Sequence, residues 1–218
     1  LLLFLFLMSG AGKAQAETVN PEDKTDYTTY IQTVYNRENG LPGGCANDIA
    51  QTADGILWIG TYGGLYRYNG NEFQWMDEFE SVKTVNCLYT DEEGRLWIGT
   101  NDSGLSICIN ETITNVVSEK DGLTADSVRC ITQSSDGDYY VGTSDAMSIL
   151  TLAGGLSVKD TIPEIIYANS IDSDQNGNIA VVTDEGKLYL IRGKEILAEL
   201  QPAEGGNYTC CMFDEEGK

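Results

Sequence analysis

Histidine is absent from all 218 residues of the chain. The chain therefore lacks the side chain that most often acts as a general base or metal ligand near neutral pH, and it has no phosphorelay histidine. It also contains no phosphate-binding loop, dinucleotide-binding glycine motif or nucleophile elbow. These absences argue against a catalytic centre in this part of the protein, and we expect neither a cofactor nor a bound metal.

Basic side chains are scarce, since 13 Lys and Arg stand against 34 Asp and Glu, which gives a formal net charge of −21. Such a chain repels nucleic acids and anionic lipid headgroups. Its acidic residues gather in short polar stretches such as Asp91-Glu92-Glu93, which are typical of solvated turns rather than of paired acid/base catalysts. Beyond the N-terminus, no apolar run approaches the roughly 18 residues of a membrane span.

The N-terminus differs from the rest of the chain. Residues 1–8 are almost wholly apolar, and Ala14-Gln15-Ala16 has the small-x-small pattern of a cleavage site. This combination predicts a secretory signal peptide over residues 1–16 that lacks its basic start, followed by a polar linker over residues 17–26. The alternative is a short N-terminal membrane anchor. With the signal peptide, the following domain is exported and faces the periplasm or the cell exterior.

A short segment that combines a tight turn with a strand recurs along the chain. In the first copy, Asp54-Gly55 predicts a turn and Ile56–Thr61 an apolar strand. The turn glycines of the successive copies are Gly55, Gly94, Gly137, Gly177 and Gly217. Their spacing of about 40 residues, with strand and turn content, is typical of β-propeller blades built from four antiparallel strands.

The repeats predict an all-β fold, a partial β-propeller over residues 27–218. We place the repeats near residues 39–83, 84–126, 127–167 and 168–207, with a fifth starting at 208–218. Residues 27–35 are expected to form an outer strand, and residues 208–213 an inner strand. The chain would then hold about four blades of a larger ring, and its first and last blades would expose apolar faces that favour association.

The motifs also resemble a known family. Asn39-Gly40-Leu41-Pro42, then Leu57-Trp58-Ile59-Gly60-Thr61, then Gly64-Leu65-Tyr66 are similar to the two-component-regulator propeller repeat. The second and third copies match well, whereas the fourth lacks the Trp and the last Gly. The resemblance implies an extracytoplasmic sensor propeller of about seven blades. It also implies a membrane span and an intracellular output domain, a histidine kinase or a diguanylate cyclase, C-terminal to the propeller.

Three further features allow two interpretations each. Asp172-x-Asp174-x-Asn176 resembles the start of a calcium loop, but Thr183 replaces the closing Glu, so we favour a plain turn. Cys87, Cys130 and Cys210 share one repeat position, which favours free buried thiols over disulfides, while Cys45 and Cys108 are left open. Trp58 and Trp97 also share one position, which favours packing between blades over a ligand platform.

Ligand-binding residues are expected in loops on one rim, because a rigid scaffold presents its variable loops for recognition. The candidates, chosen by position, are Tyr62, Asn101, Asp102, Ser144, Asp145, Arg37, Asn39 and Asp126. We expect a sensor module that binds a small molecule, a glycan or a partner domain of the same receptor, which can be a dimer. The alternatives are a propeller enzyme of the lyase or glycosidase type and a secreted structural or adhesive propeller.

Overall fold

The computed structural model describes residues 34–36, 38, 40–41, 45–203 and 205–214. The predicted signal peptide, the linker and most of the predicted strand over residues 27–35 lie outside these residues. The described strands form four antiparallel sheets of four strands, each ordered as a simple meander.

Blade 1 contains β1 (Asp48–Gln51), β2 (Leu57–Thr61), β3 (Gly64–Tyr68) and β4 (Phe73–Trp75). Blade 2 contains β5 (Val85–Thr90), β6 (Leu96–Thr100), β7 (Leu105–Ile109) and β8 (Thr112–Val117). Blade 3 contains β9 (Val128–Gln133), β10 (Tyr139–Thr143), β11 (Ala146–Thr151) and β12 (Ser157–Ile166). Blade 4 contains β13 (Ala168–Ser173), β14 (Ile179–Thr183), β15 (Leu188–Arg192) and β16 (Glu195–Leu200).

Burial along the strands reflects their place in a blade. Every residue of the second strands β6, β10 and β14 is buried, because both faces of these strands are covered. The outer strand β16 instead alternates exposed and half-buried residues, as expected for a strand with one solvated face. The repeated apolar segment of the sequence therefore marks the middle of each sheet.

Apolar clusters fill the spaces between neighbouring blades. Trp58 of blade 1 packs with Leu88 and Ile98 of blade 2. Trp97 of blade 2 packs in the same way with residues of blade 3, and Tyr140 of blade 3 with residues of blade 4. The predicted role of Trp58 and Trp97 as packing residues is confirmed, and Tyr140 takes over that role in the third copy.

Three glycines in the middle strands, Gly60, Gly99 and Gly142, allow neighbouring blades to approach closely. A Cβ atom on Gly99 would lie 2.4 Å from the Cys87 sulfur and 2.6 Å from Val128 of the next blade. A Cβ atom on Gly142 would lie 2.5 Å from the Cys130 sulfur and 2.6 Å from the Ala168 Cβ. The glycine of the repeated motif is therefore required by space between blades.

The predicted inner strand over residues 208–213 is wrong in one respect. The segment runs beside β13, where Cys211 N donates to Ser170 Oγ at 3.1 Å and Phe213 N donates to Asp172 Oδ2 at 2.7 Å. It is not a strand, because no described strand pairs with it.

At the other end of the described chain, Tyr35 is also outside any strand. Its ring packs edge-on against Phe73 with 5.0 Å between centroids, and its hydroxyl lies 2.8 Å from the Tyr68 hydroxyl. The last part of the predicted outer strand is thus a coil segment that rests on blade 1.

Candidate functional site

The loops on one side of the blades form a continuous rim, which we call the upper rim. It comprises the loops between the second and third strands and the loops that lead from an outer strand to the next inner strand. Backbone hydrogen bonds join the loop of one blade to the loop that leads into the next blade, as from Gly104 N to Asp126 O at 2.9 Å and from Tyr167 N to Asp145 O at 3.1 Å. The upper rim is therefore a braced surface, and six of the eight predicted ligand-binding residues lie on it within the described chain.

Tyr62, Asn101 and Asp102 form the part of the upper rim on blades 1 and 2. The Tyr62 side chain is 66% exposed. Asp102 Oδ1 accepts hydrogen bonds from Thr84 Oγ1 at 3.0 Å and from Ser103 Oγ at 2.9 Å, so this carboxylate holds its own loop. Asn101 Oδ1 accepts from Ser127 Oγ at 3.4 Å, which links blade 2 to the start of blade 3.

Ser144, Asp145 and Asp126 lie further along the same rim. Asp145 is exposed and Ser144 half-buried in the loop between β10 and β11. Asp126 accepts a hydrogen bond from Glu119 N at 2.7 Å through Oδ1, and it therefore braces the loop before β9. Arg37 and Asn39, the last two predicted residues, lie outside the described residues.

Three residues of the upper rim were missed by the sequence analysis, namely Arg129, Tyr167 and Asn169. Arg129 Nε donates to Asn169 Oδ1 at 2.7 Å, Nη2 bonds to the same oxygen, and the guanidinium carbon lies 5.9 Å from the centre of the Tyr167 ring. The predicted candidates are loop residues, whereas Arg129 belongs to an inner strand. The signal that could have found it is an Arg where three other repeats have Asn47, Asn86 and Asn169.

On the opposite rim, Asp91 is the centre of a buried polar network. Its Oδ2 accepts from Trp97 Nε1 at 2.7 Å, from Arg95 Nε at 2.6 Å and from the Tyr139 hydroxyl at 3.1 Å. Burial alone would raise the pKa of Asp91, but the bonds from Trp97 and Arg95 outweigh it and hold the pKa below its usual value. Burial, and then the Asp91 charge, raise the pKa of the Tyr139 hydroxyl. The network keeps Asp91 and Arg95 as an ionised pair, and through Tyr139 it joins blade 2 to blade 3.

All six cysteines are free thiols in the described structure. Cys87 and Cys130 are buried, as predicted, and burial raises the pKa of the Cys130 thiol to about 12. The prediction is wrong for Cys210, which is exposed, because no described strand pairs with the segment over residues 208–213 and covers it. Its neighbour Cys211 is half-buried instead.

The Asp172–Asn176 turn uses its acidic side chains for protein contacts. Asp174 Oδ1 accepts from Asn178 N and from Asn176 N at 2.8 Å each, while Oδ2 accepts from Asn178 Nδ2 at 2.7 Å. Asp172 bonds to Phe213 N. Among the described residues, no group of three or more possible metal-ligating side chains is found. These bonds account for the positions of the acidic side chains of the turn.

The described part of the chain contains no helix of the length and apolarity needed to cross a membrane. A short 3-10 helix, Glu119–Asp121, lies within the loop that leads to blade 3.

Four meander sheets that pack face to face through repeated aromatic and glycine positions define the class of protein as a β-propeller. Comparison with family profiles matches residues 40–63, 80–102 and 122–145 to the two component regulator propeller repeat. Three repeats of the chain thus match this family's model, as the motifs of the first three repeats predicted. No curated protein matches the sequence with significant similarity.

Solved structures with the same fold include two extracellular domains from B. thetaiotaomicron. The hybrid two component system BT3049 is 22% identical with a TM-score of 0.67, and the match covers 80% of this chain and 27% of that one. The one component system BT4673 is 17% identical with a TM-score of 0.57, over 75% of this chain and 24% of that one. PorZ, a surface component of the type-IX secretion system of Porphyromonas gingivalis, is 14% identical with a TM-score of 0.64, over 84% and 32%. The chain therefore spans between about a quarter and a third of the length of these structures.

Proposed function

We propose that this chain is the extracytoplasmic sensing module of a bacterial membrane receptor, and that its upper rim binds the ligand. The observation that carries the proposal is the match of three repeats to the two component regulator propeller family. Two of the similar folds are described as extracellular domains of one or two component systems, which supports the same class of function. The proposal places the output domain elsewhere in the protein.

The geometry supports recognition rather than catalysis. The upper rim joins loops of all four blades through backbone bonds such as those from Tyr167 N to Asp145 O and from Tyr208 N to Gly186 O. A braced rim with exposed side chains such as Tyr62 is suited to binding a small molecule, a glycan or a partner domain. We propose no catalytic role for this region, since its described acidic side chains mostly hold turns.

Replacement of exposed side chains on each rim in turn tests the proposal. One variant combines Tyr62→Ala, Asn101→Ala and Asp145→Ala on the upper rim. The matched control combines Glu92→Ala, Ser135→Ala and Gln175→Ala, which are exposed turn residues on the opposite rim. Both are introduced into the full-length protein in the bacterium that encodes it, and transcripts are profiled over a panel of carbon sources.

We expect the upper-rim variant to lose a nutrient-dependent transcript response that the wild type and the control retain. Equal profiles for the wild type and the upper-rim variant under every condition would reject the sensing role of the rim. Export is tested separately by fusing residues 1–26 to alkaline phosphatase, which is active only outside the cytoplasm. An inactive fusion would contradict the extracytoplasmic location.

A further inference from the structure

We propose that Arg129, Tyr167 and Asn169 form a recognition site for a carboxylate carried on a ring, as in a sugar acid or an aromatic acid. This inference rests on the proposed binding function of the upper rim and names the chemistry of its ligand. Three observations concern Arg129: it replaces an asparagine of the other repeats, it has no acidic partner among the described residues, and its guanidinium is held in one orientation. The fourth is the strained backbone of Tyr167.

The third repeat lacks a hydrogen bond that joins neighbouring inner strands in the first two repeats. In blade 1, Asn47 Nδ2 donates to Val85 O of blade 2 at 2.7 Å, and in blade 2, Asn86 Nδ2 donates to Val128 O of blade 3 at 3.0 Å. Blade 3 has Arg129 at this position, and the Ala168 carbonyl that the pattern would use instead accepts from Cys130 Sγ at 3.5 Å. At this position of the third repeat, a charged arginine thus replaces a neutral asparagine that would bond to the next inner strand.

The cation has no acidic partner in the described chain. Arg67 pairs with Glu111 at 3.0 Å and Arg95 with Asp91 at 2.6 Å, whereas no ion pair within 4.0 Å involves Arg129 among the described residues. Arg129 is half-buried in a protein with a net charge of −21. A guanidinium that is partly removed from water and not neutralised attracts an anion from solution, and its planar edge matches a carboxylate.

The guanidinium is held in one orientation before any ligand arrives. Asn169 Oδ1 accepts from Arg129, while Asn169 Nδ2 donates to Asp184 Oδ1 at 2.9 Å. The bond to Asp184 fixes the direction of the Asn169 amide, and the amide fixes the guanidinium. The described hydrogen bonds of Arg129 use Nε and Nη2, which leaves Nη1 available for a ligand oxygen. Such pre-organisation lowers the entropic cost of binding.

Tyr167 stands beside the guanidinium in a strained backbone conformation. Its φ is +53°, in the left-handed region, which is unfavourable for a residue with a bulky side chain. Backbone bonds hold it there, from Tyr167 N to Asp145 O at 3.1 Å and from Asp184 N to Tyr167 O at 2.9 Å. The ring remains 46% exposed. Strain of this kind concentrates at functional sites, and a partly exposed aromatic ring that lies under a cation suits a ligand ring that carries an acid.

The experiment measures binding of two acids and their neutral counterparts to the full chain by calorimetry. Glucuronate is compared with glucose, and benzoate with benzyl alcohol, which separates a sugar acid from an aromatic acid. We expect one acid to bind with a Kd of about 1 mM or below, and its neutral counterpart not to saturate the site. Because Arg129→Gln removes a charge-assisted hydrogen bond, it should weaken binding of the acid by about 10- to 100-fold.

Three further variants separate binding from folding. Arg129→Asn restores the residue of the other repeats, so the variant should fold at least as well as the wild type. It should nevertheless no longer bind the acid. Tyr167→Asn removes the ring but keeps a residue that tolerates the left-handed region, and it should weaken binding while the fold is retained. Arg192→Gln changes an arginine that bonds to Asn178 in blade 4, and it should leave acid binding unchanged.

The inference is overturned if neither acid binds, if the neutral compounds bind equally well, or if Arg129→Asn binds the acid as tightly as the wild type. Failure of the inference is distinguishable from failure of the proposed function. If the acids do not bind but the upper-rim variant still loses its transcript response, only the ligand chemistry is wrong. If an acid binds through Arg129 but the transcripts are unaffected, the sensing role is wrong.

Discussion

The junctions on the two sides of blade 2 use the same repeat positions with different chemistry. Between blades 1 and 2, Trp58 Nε1 donates to Thr52 Oγ1 at 3.1 Å, a bond confined to blade 1. Between blades 2 and 3, Trp97 Nε1 donates to the buried carboxylate of Asp91, which also binds the Tyr139 hydroxyl of the next blade. Two differences between the repeats, Asp91 in place of Thr52 and Tyr139 in place of Leu96, therefore convert a local bond into a link between blades.

The two junctions also differ in their aromatic packing. Trp97 stacks on Tyr139 with 3.9 Å between ring centroids and 24° between ring planes, whereas Trp58 packs among aliphatic residues such as Leu96. Arg95 completes the second junction, since its Nη2 donates to the Tyr139 hydroxyl at 2.7 Å. Blades with nearly identical motifs should therefore contribute unequally to stability.

The largest effect is expected for Asp91→Ala. The substitution leaves the Trp97 indole, the Tyr139 hydroxyl and the Arg95 guanidinium without their shared acceptor, which should lower the free energy of unfolding by about 3 kcal/mol. The control Thr52→Ala removes one neutral bond at the equivalent position and should cost about 1 kcal/mol. Urea unfolding measures both, and equal losses would contradict the difference between the junctions.

The close approach of blades 3 and 4 predicts the next effect. Gly142→Ala would place its Cβ within 2.6 Å of two atoms, so a packed interface must shift, and we expect a loss of about 2 kcal/mol. Gly63→Ala is the matched control, because its nearest neighbour is Thr61 Oγ1 at 3.5 Å, an ordinary contact. Thermal unfolding compares the two variants. A Gly63→Ala variant that is as destabilised as Gly142→Ala would show that space between blades is not the cause.

The sequence was sufficient for the repeat and for most strands, because these depend on local signals. Asp-Gly turns, apolar runs and the shared position of Trp58 and Trp97 all act within one blade. The segment over residues 208–213 was mispredicted since its sequence has the inner-strand pattern, but strand formation requires a paired neighbour. Exposure of Cys210 could not be predicted for the same reason.

The candidate site was only partly predictable. Loop position placed Tyr62, Asn101 and Asp145 on one rim, and whether they bind a ligand stays a prediction. Arg129 and Tyr167 are brought together by the pairing of blades 3 and 4, which no local pattern encodes. The left-handed conformation of Tyr167 depends on bonds to two other loops, so it becomes visible only in three dimensions.

The second junction should also respond to pH. The pKa of Asp91 is lower in the folded protein than its usual value, so the stability it adds is fully present above about pH 3.9, its unfolded pKa, and is lost as pH falls through the folded pKa. The difference in unfolding free energy between the wild type and Asp91→Asn should be constant above about pH 5 and shrink below about pH 4. A difference that grows on acidification would show that Asp91 is protonated in the folded protein.

The smallest effect concerns the thiols, where the two kinds of environment differ in reactivity rather than in stability. Cys87 and Cys130 are buried between blades, and burial raises the pKa of both thiols, so little thiolate forms and no reagent can enter. Cys45 and Cys210 are exposed. In native protein at mildly alkaline pH, iodoacetamide should modify Cys45 and Cys210 first, and Cys87 and Cys130 only after unfolding. Peptide mass spectrometry of timed samples measures the order. Rapid native labelling of Cys130 would mean that blades 3 and 4 separate readily, and disulfide-protected cysteines after non-reducing denaturation would contradict free thiols throughout.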